Sequence, residues 1–315
     1  MSASRPATSF QATLIALALL LAPGSAQALE DGASSYPRGY RDLAAGLLPQ
    51  EAGVYVRDDL NFYRGDLDET QQGGAVSIHA DLDVIVNVSR ATFVTGWRPF
   101  GLTQAFGLSW VQAGSTLDGR FVTPGGTLRP DEETIGIGDL AVTPLLLGWD
   151  DGNWHGTTGF AIWIPIGSYQ ADRFVNPGRN YWSFGPHVAV SWLDDESGWD
   201  FSLAALYVTN LENPATDYDS GNVLHFNGYA GKQVAPWLKI GMAGYALQQV
   251  TGDSGSGATL GDFRARVFGL GPALRFGIDL GGGNELPLLL KYYREFGAEN
   301  TFEGNLVSIG TSFRF

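Results

Sequence analysis

From Val54 onward the chain alternates. Val54, Val56, Leu60 and Phe62 fall on one face of an extended segment, and Tyr55, Arg57, Asp59, Asn61 and Tyr63 on the other, because successive strand side chains point to opposite sides. The longest run sets Val76, Ile78, Ala80, Leu82, Val84, Val86 and Val88 against Ser77, His79, Asp81, Asp83, Asn87 and Ser89. It predicts a strand with its apolar face on lipid and its polar face on a wet lumen. Trp182, Phe184, Val188, Val190 and Trp192 oppose Ser183, Gly185, His187, Ala189 and Ser191, so tryptophans bracket an aliphatic band as they would at two membrane interfaces. Trp199–Tyr207 and Phe268–Ile278 repeat the pattern. The chain ends on Val307, Ile309, Thr311, Phe313 and Phe315 against Leu306, Ser308, Gly310, Ser312 and Arg314.

The connectors alternate in length. Arg98–Gly101, Trp149–Asn153, Asp194–Gly198, Val234–Pro236 and Asp279–Glu285 are short. Arg64–Gly74, Gly114–Thr134, Gly167–Asn180, Glu212–Gly221, Thr251–Gly261 and Phe296–Thr301 are longer or more polar. Five short turns between six loops predict twelve strands, with both termini on the side of the short, periplasmic turns. A soluble β-sandwich has no reason to sort its connectors by parity. The pattern therefore predicts an all-β fold, a transmembrane antiparallel up-and-down β-barrel of about twelve strands over residues 54–315.

Upstream, Arg5, the apolar run Leu14–Leu21 and Ala26-Gln27-Ala28 before Leu29 read as a secretory signal peptide, residues 1–28, cleaved before Leu29. The run is too short for a membrane helix, which needs about 20 residues to cross roughly 30 Å. Leu145–Leu147 and Leu286–Leu290, the densest later leucine runs, are shorter still. Lipid then leaves only a closed barrel, where every backbone group is paired. Residues 29–53 precede the first strand. Asp42–Leu48 could form one or two helical turns capped by Asp42, and the segment either hangs in the periplasm or plugs the lumen.

Composition changes the picture little. The chain holds 43 glycines, 12% aromatics, 17% charged residues and no cysteine, which excludes a disulfide scaffold. The net charge is −14, and −15 once Arg5 leaves with the signal peptide. That balance disfavours nucleic acid as a partner and is ordinary for acidic outer loops.

Several stretches resemble one known family in order along the mature chain. They are Tyr36-Pro37-Arg38-Gly39, Ala45–Pro49, Gly53-Val54-Tyr55, Gly138-Asp139-Leu140, Thr143-Pro144-Leu145, Pro165–Tyr169, Gly178–Trp182, Asn213–Tyr218 and Gln249–Gly257. Together they resemble the outer-membrane family named for the MetA pathway of phenol degradation. The resemblance implies a bacterial outer-membrane barrel of transporter type linked to catabolism of aromatic compounds. It carries no catalytic or binding residues with it.

Candidate chemistry is sparse. Gly252–Gly257 lacks the Gly-Lys-Ser/Thr ending of a phosphate loop and opens no helix, so it reads as an outer loop. The alternation puts Arg57, Asp59, His79, Asp81, Asp83, Asp139, His155, His187, His225, Asn227, Arg275, Lys291 and Arg314 on the lumen face, with Asp200, Lys239 and Glu295. No two histidines have metal-site spacing, so no metal, cofactor or catalytic residue is expected. Opposite charges there are expected to pair, and His79 with Asp81 or Asp83 could form a pH-sensing constriction. A barrel phospholipase would need its histidine on the lipid-facing side, where none falls, although an acidic-His pair at the outer rim stays open as an enzyme alternative. A structural or adhesive barrel is the third possibility. The reading favoured is a non-enzymatic, porin-like channel or facilitator for small hydrophobic or aromatic solutes. Its partners are outer-membrane lipids, the solute and the barrel-assembly machinery, which would read Phe313 and Phe315 as an assembly signal.

Overall fold

The computed structural model describes residues 29–315 apart from 42, 72–75, 124–125, 259–260 and 283. The expected signal peptide and the Asp42 cap lie outside the described residues. The strands are β1 (Gly53–Gln71), β2 (Val76–Val94), β3 (Thr103–Thr123), β4 (Gly126–Leu128), β5 (Asp131–Ile137), β6 (Leu140–Asp151) and β7 (Trp154–Ile164). They continue as β8 (Ser183–Leu193), β9 (Trp199–Asn210), β10 (Val223–Ala235), β11 (Leu238–Gln249), β12 (Arg266–Gly281), β13 (Asn284–Glu299) and β14 (Glu303–Arg314).

Every neighbouring pair is antiparallel, and β1 pairs both β2 and β14, from Tyr55↔Arg314 to Asp66↔Glu303, which closes the sheet on itself. β5 pairs the upper part of β3 and β6 the lower part, so the two make one barrel strand broken at Gly138-Asp139. β4 is a short arm on the end of β3. Twelve barrel strands result. Among the described residues no helix is long and apolar enough to cross a membrane, and the β1–β14 pairing closes the sheet, with β5 paired on its β3 side.

The outward face carries the apolar band. Phe160, Val188, Leu203, Leu270 and Ile309 are exposed along it, with Trp154, Trp199, Trp237 and Phe313 at the short-turn end and Trp182 and Phe296 at the other. Trp199 and Phe201 stack at 5.5 Å and Trp182 and Phe184 at 6.5 Å. On β8, β9, β12 and β14 the faces fall as the alternation predicts. Together these features make the molecule an outer-membrane β-barrel.

β2 is inverted. Ile78 (3% exposed), Ala80, Leu82 and Val88 point inward and are buried, while the side chains of His79, Asp81 and Asp83 are 56%, 65% and 57% exposed on the outside. His79 Nδ1 lies 2.7 Å from Asp68 Oδ1 on the outer surface. The pH-sensing constriction of His79 with Asp81 or Asp83 is therefore corrected, because none of the three faces the lumen. Asn87 and Ser89 also face out, where they bond the Asp58 carboxylate, the one acidic side chain within the apolar band of β1. Length explains the inversion of the outer half. β1, β2 and β3 run 19, 19 and 21 residues, about twice what a tilted strand needs to cross lipid. Their outer halves stand in water, where the polar face turns outward. The apolar face packs on Phe302, Phe174 and Val175 inside. For the same reason Arg64–Gln71 and Gly114–Thr123, expected as loops, continue as strand.

Candidate functional site: a plugged lumen with a path beside the plug

Residues 29–41 and 43–52 run through the barrel interior from its outer to its periplasmic end. At the outer end the Leu29 nitrogen lies 3.1 Å from Asp253 Oδ2, and the Glu30 carboxylate accepts hydrogen bonds from Tyr169, Asn213 and Thr216 of the outer loops. Midway, Ser34 Oγ meets His225 Nε2 at 3.0 Å, and Lys291 Nζ donates to the Gly39 carbonyl at 2.7 Å. Lower down, the Gly46 amide donates to Ser191, and Arg98 and Thr103 donate to Gln50 at the β2–β3 turn. Turns occupy 43–46 in place of the expected helix, with Ala44 at φ 49°. Two glycines are required here. Gly39 has φ 63° and its absent Cβ would sit 2.9 Å from the Tyr293 ring, and at Gly46 a Cβ would strike the His155 carbonyl.

The plug is pinned by charge as well. Arg38 Nη1 donates to Glu295 Oε1 at 2.6 Å, and Glu295, fully buried, also accepts from the Tyr63 and Tyr245 hydroxyls and the Gly304 amide. Four bonds satisfy that carboxylate, as a buried charge demands.

These contacts lie chiefly on β7–β13, which leaves the β1–β3 side open. A cavity of about 710 Å³ fills the periplasmic half, and one of about 230 Å³ lies above it. Both are lined by Tyr36, Val111, Asp139 and Trp163, so they adjoin beside the plug. Inward residues across β1, β2 and β3 wall the path in rows set by register. Tyr63, Val84 and Ser115 form one row, then Asn61, Val86 and Ala113, then Asp59, Val88 and Val111. Next comes Arg57 opposite Arg90, with Ser109 and Ser312 at its flanks. The upper path is apolar and the lower one basic.

The sequence-derived lumen residues divide accordingly. Arg57 and Asp59 lie inside, with Arg57 Nε donating to Asp59 Oδ2 at 2.7 Å. Asp139 sits at the β5–β6 break, accepts from the Gly167 and Arg179 amides, and so holds the 165–182 loop over the gap. His187 and Asn227 are buried in the lower cavity wall. His225 and Lys291 serve the plug. His155 pairs with Asp150, Arg275 with Glu285 and Arg314 with Glu51 at the periplasmic rim, and Lys239 Nζ reaches the buried Asp200 at 2.8 Å. His79, Asp81 and Asp83 are not part of this site.

Sequence reasoning missed Tyr40, Arg41, Arg90 and the apolar wall Val84–Val88. Arg90 shares its face with Val86 and Val88, and a run of valines invites a lipid-facing assignment. The register with β1 is what turns it inward, since β1's own faces are unambiguous.

The solved COG4313 outer membrane channel from Pseudomonas putida F1 is 14% identical and superimposes with a TM-score of 0.67, covering 89% of this chain and all of its own. The translocator domain of autotransporter NalP from Neisseria meningitidis is 13% identical at a TM-score of 0.46, with 87% and 92% covered. No curated protein sequence matches. The family model described as MetA-pathway of phenol degradation matches residues 65–310, and this chain belongs to that family.

Proposed function

We propose that the protein is an outer-membrane channel or facilitator for small hydrophobic or aromatic solutes, tied to the catabolism of aromatic compounds. The two adjoining cavities beside the plug, apolar along Val84, Val86, Val88 and Val111, carry this reading. A porin for sugars or ions would line its path with polar groups throughout, whereas this one offers aliphatic surface above and arginine below. The family's name supplies the aromatic direction. The test is uptake by proteoliposomes holding the full barrel. Phenol-sized aromatics should enter faster than glucose, and equal rates for protein-free vesicles would refute the channel.

Signal cleavage before Leu29 belongs to the same proposal. It would place a free amino group beside Asp253, whose carboxyl is pushed up by burial and held down by hydrogen bonds from Tyr218, Gln249 and the Gly221 and Leu29 amides. A cation there would complete the site. Assembly is the other proposed partnership. Phe315 exchanges backbone hydrogen bonds with Val54 at 2.9 and 3.3 Å and leaves its ring exposed at the periplasmic rim. Deleting Phe315, or adding charged residues after it, should lower the yield of heat-modifiable barrel. Normal yield and migration would refute an assembly role.

A further inference from the structure

The lower cavity holds more positive charge than it neutralises. Arg57 and Arg90 are direct cross-strand partners on the inward face, where like charges repel. Asp59 engages Arg57 through both oxygens, at 2.7 and 2.8 Å, and so offsets one of the two. Arg41, from the plug, lines the same cavity and feels the charges of Arg90 and Arg57 at close range. Among the described residues neither Arg41 nor Arg90 has a hydrogen-bonding or ion-pair partner; Arg90 rests on the Tyr40 ring, 5.3 Å from its centroid. The Tyr40 hydroxyl, His187 Nε2 and Asn227 Oδ1, all in this wall, are likewise buried without a protein partner.

A guanidinium fork matches a carboxylate geometrically, and two forks beside apolar surface suit a carboxylate carrying an apolar body. Directly above the arginines stand Val88 and Val111, with Tyr36 and Trp163 across the cavity. About 710 Å³ is ample for a single substituted ring.

We propose that the lower cavity is a binding site for a small aromatic carboxylate, its carboxylate held between Arg41 and Arg90 and its ring against Val88, Val111 and Trp163. The inference rests on the channel reading and deepens it, naming the solute as an organic acid. The two arginines replace the hydration the carboxylate loses on entry, and the apolar wall above them takes the ring. Arg57 stays with Asp59 and fixes the lower edge of the site.

Titrating benzoate into the detergent-solubilised full barrel, with acetate and benzyl alcohol as comparisons, tests this. Benzoate should bind more tightly than either, and Arg41→Gln should weaken it about tenfold or more, the loss expected of one charged hydrogen-bonded partner. Arg41 makes no bond to the barrel, so its replacement leaves the fold alone, and heat-modifiable migration checks that it does. Arg90→Gln should weaken benzoate similarly, and Arg90→Lys should restore part of the loss. No benzoate binding, equal binding of benzyl alcohol or acetate, or unchanged affinity in both glutamine variants would overturn the proposal. The channel reading fails separately. Arginine-dependent benzoate binding with no solute uptake would remove the channel and keep the site, while uptake of phenol without benzoate binding would do the reverse.

Discussion

Deleting residues 32–50 should raise single-channel conductance severalfold while leaving the barrel intact. Every strand pairing, including the β1–β14 closure from Tyr55 to Asp66, forms without those residues. What they supply is a strand of chain threaded down the lumen and tied to β7–β13 at His225, Lys291, Glu295 and Ser191. Without it the narrow path along β1–β3 merges with the space the plug filled. A twelve-stranded barrel is wider than the eight-stranded barrels that side chains alone can fill, so the merged lumen fills with water. Glu295 and Lys291 then become hydrated, which limits the stability lost. Selectivity should fall together with the rise in current. Planar-bilayer recordings of the deleted and full chains decide it, with heat-modifiable migration as the folding control. Unchanged conductance would place the permeation route elsewhere than the lumen.

Much of this architecture was legible in the residues, and the failures have a physical pattern. Strand count followed from connector parity, because short turns must lie on one side of an up-and-down barrel. The C-terminus falls on that side as expected, whereas Leu29 lies at the outer end because residues ahead of β1 thread back up the lumen. The faces of β8, β9 and β14 followed from aromatic and aliphatic outward positions. β2 failed because alternation reports that two faces differ, and depth along the strand decides which of them meets apolar surroundings. Ile78 and Leu82 lie above the lipid band, where the apolar side turns to the interior and Asp81 and Asp83 meet water. Arg90 lies lower on the same unbroken strand, and its register with Arg57 of β1 is what sets it inside. The plug failed differently. Pro37, Gly39, Gly46 and Pro49 mark irregular chain, but irregular chain in the periplasm and in a lumen look alike in sequence. What separates them is tertiary, namely the luminal Glu295, Lys291 and His225 waiting for partners. Alternation put those three inside; nothing in the sequence assigned Arg38, Gly39 and Ser34 to them.

Replacing Arg38 by Met should destabilise the folded barrel by about 3–5 kcal/mol, the usual loss when one partner of a buried ion pair is removed. Met keeps most of the stem that packs against Tyr63, whose ring lies 5.8 Å from the guanidinium carbon. It leaves Glu295 fully buried with only neutral donors, the hydroxyls of Tyr63 and Tyr245 and the Gly304 amide. Those three bonds place the loss toward the lower end of the range. Changing Glu295→Gln as well removes the uncompensated charge. The amide oxygen in the Oε2 position still accepts from Tyr63 and the Gly304 amide, and the NH2 donates to the Tyr245 hydroxyl, so the double variant should recover most of the loss. The readout is the temperature at which the fast-migrating folded band disappears in detergent. A single variant as stable as the parent, or a double variant no better than the single, would mean that the pair does not fix the plug. The contrast with the deletion sharpens the point. Removing the whole plug lets water reach Glu295, whereas Arg38→Met keeps water out and takes away the cation, so the smaller change should destabilise the barrel more.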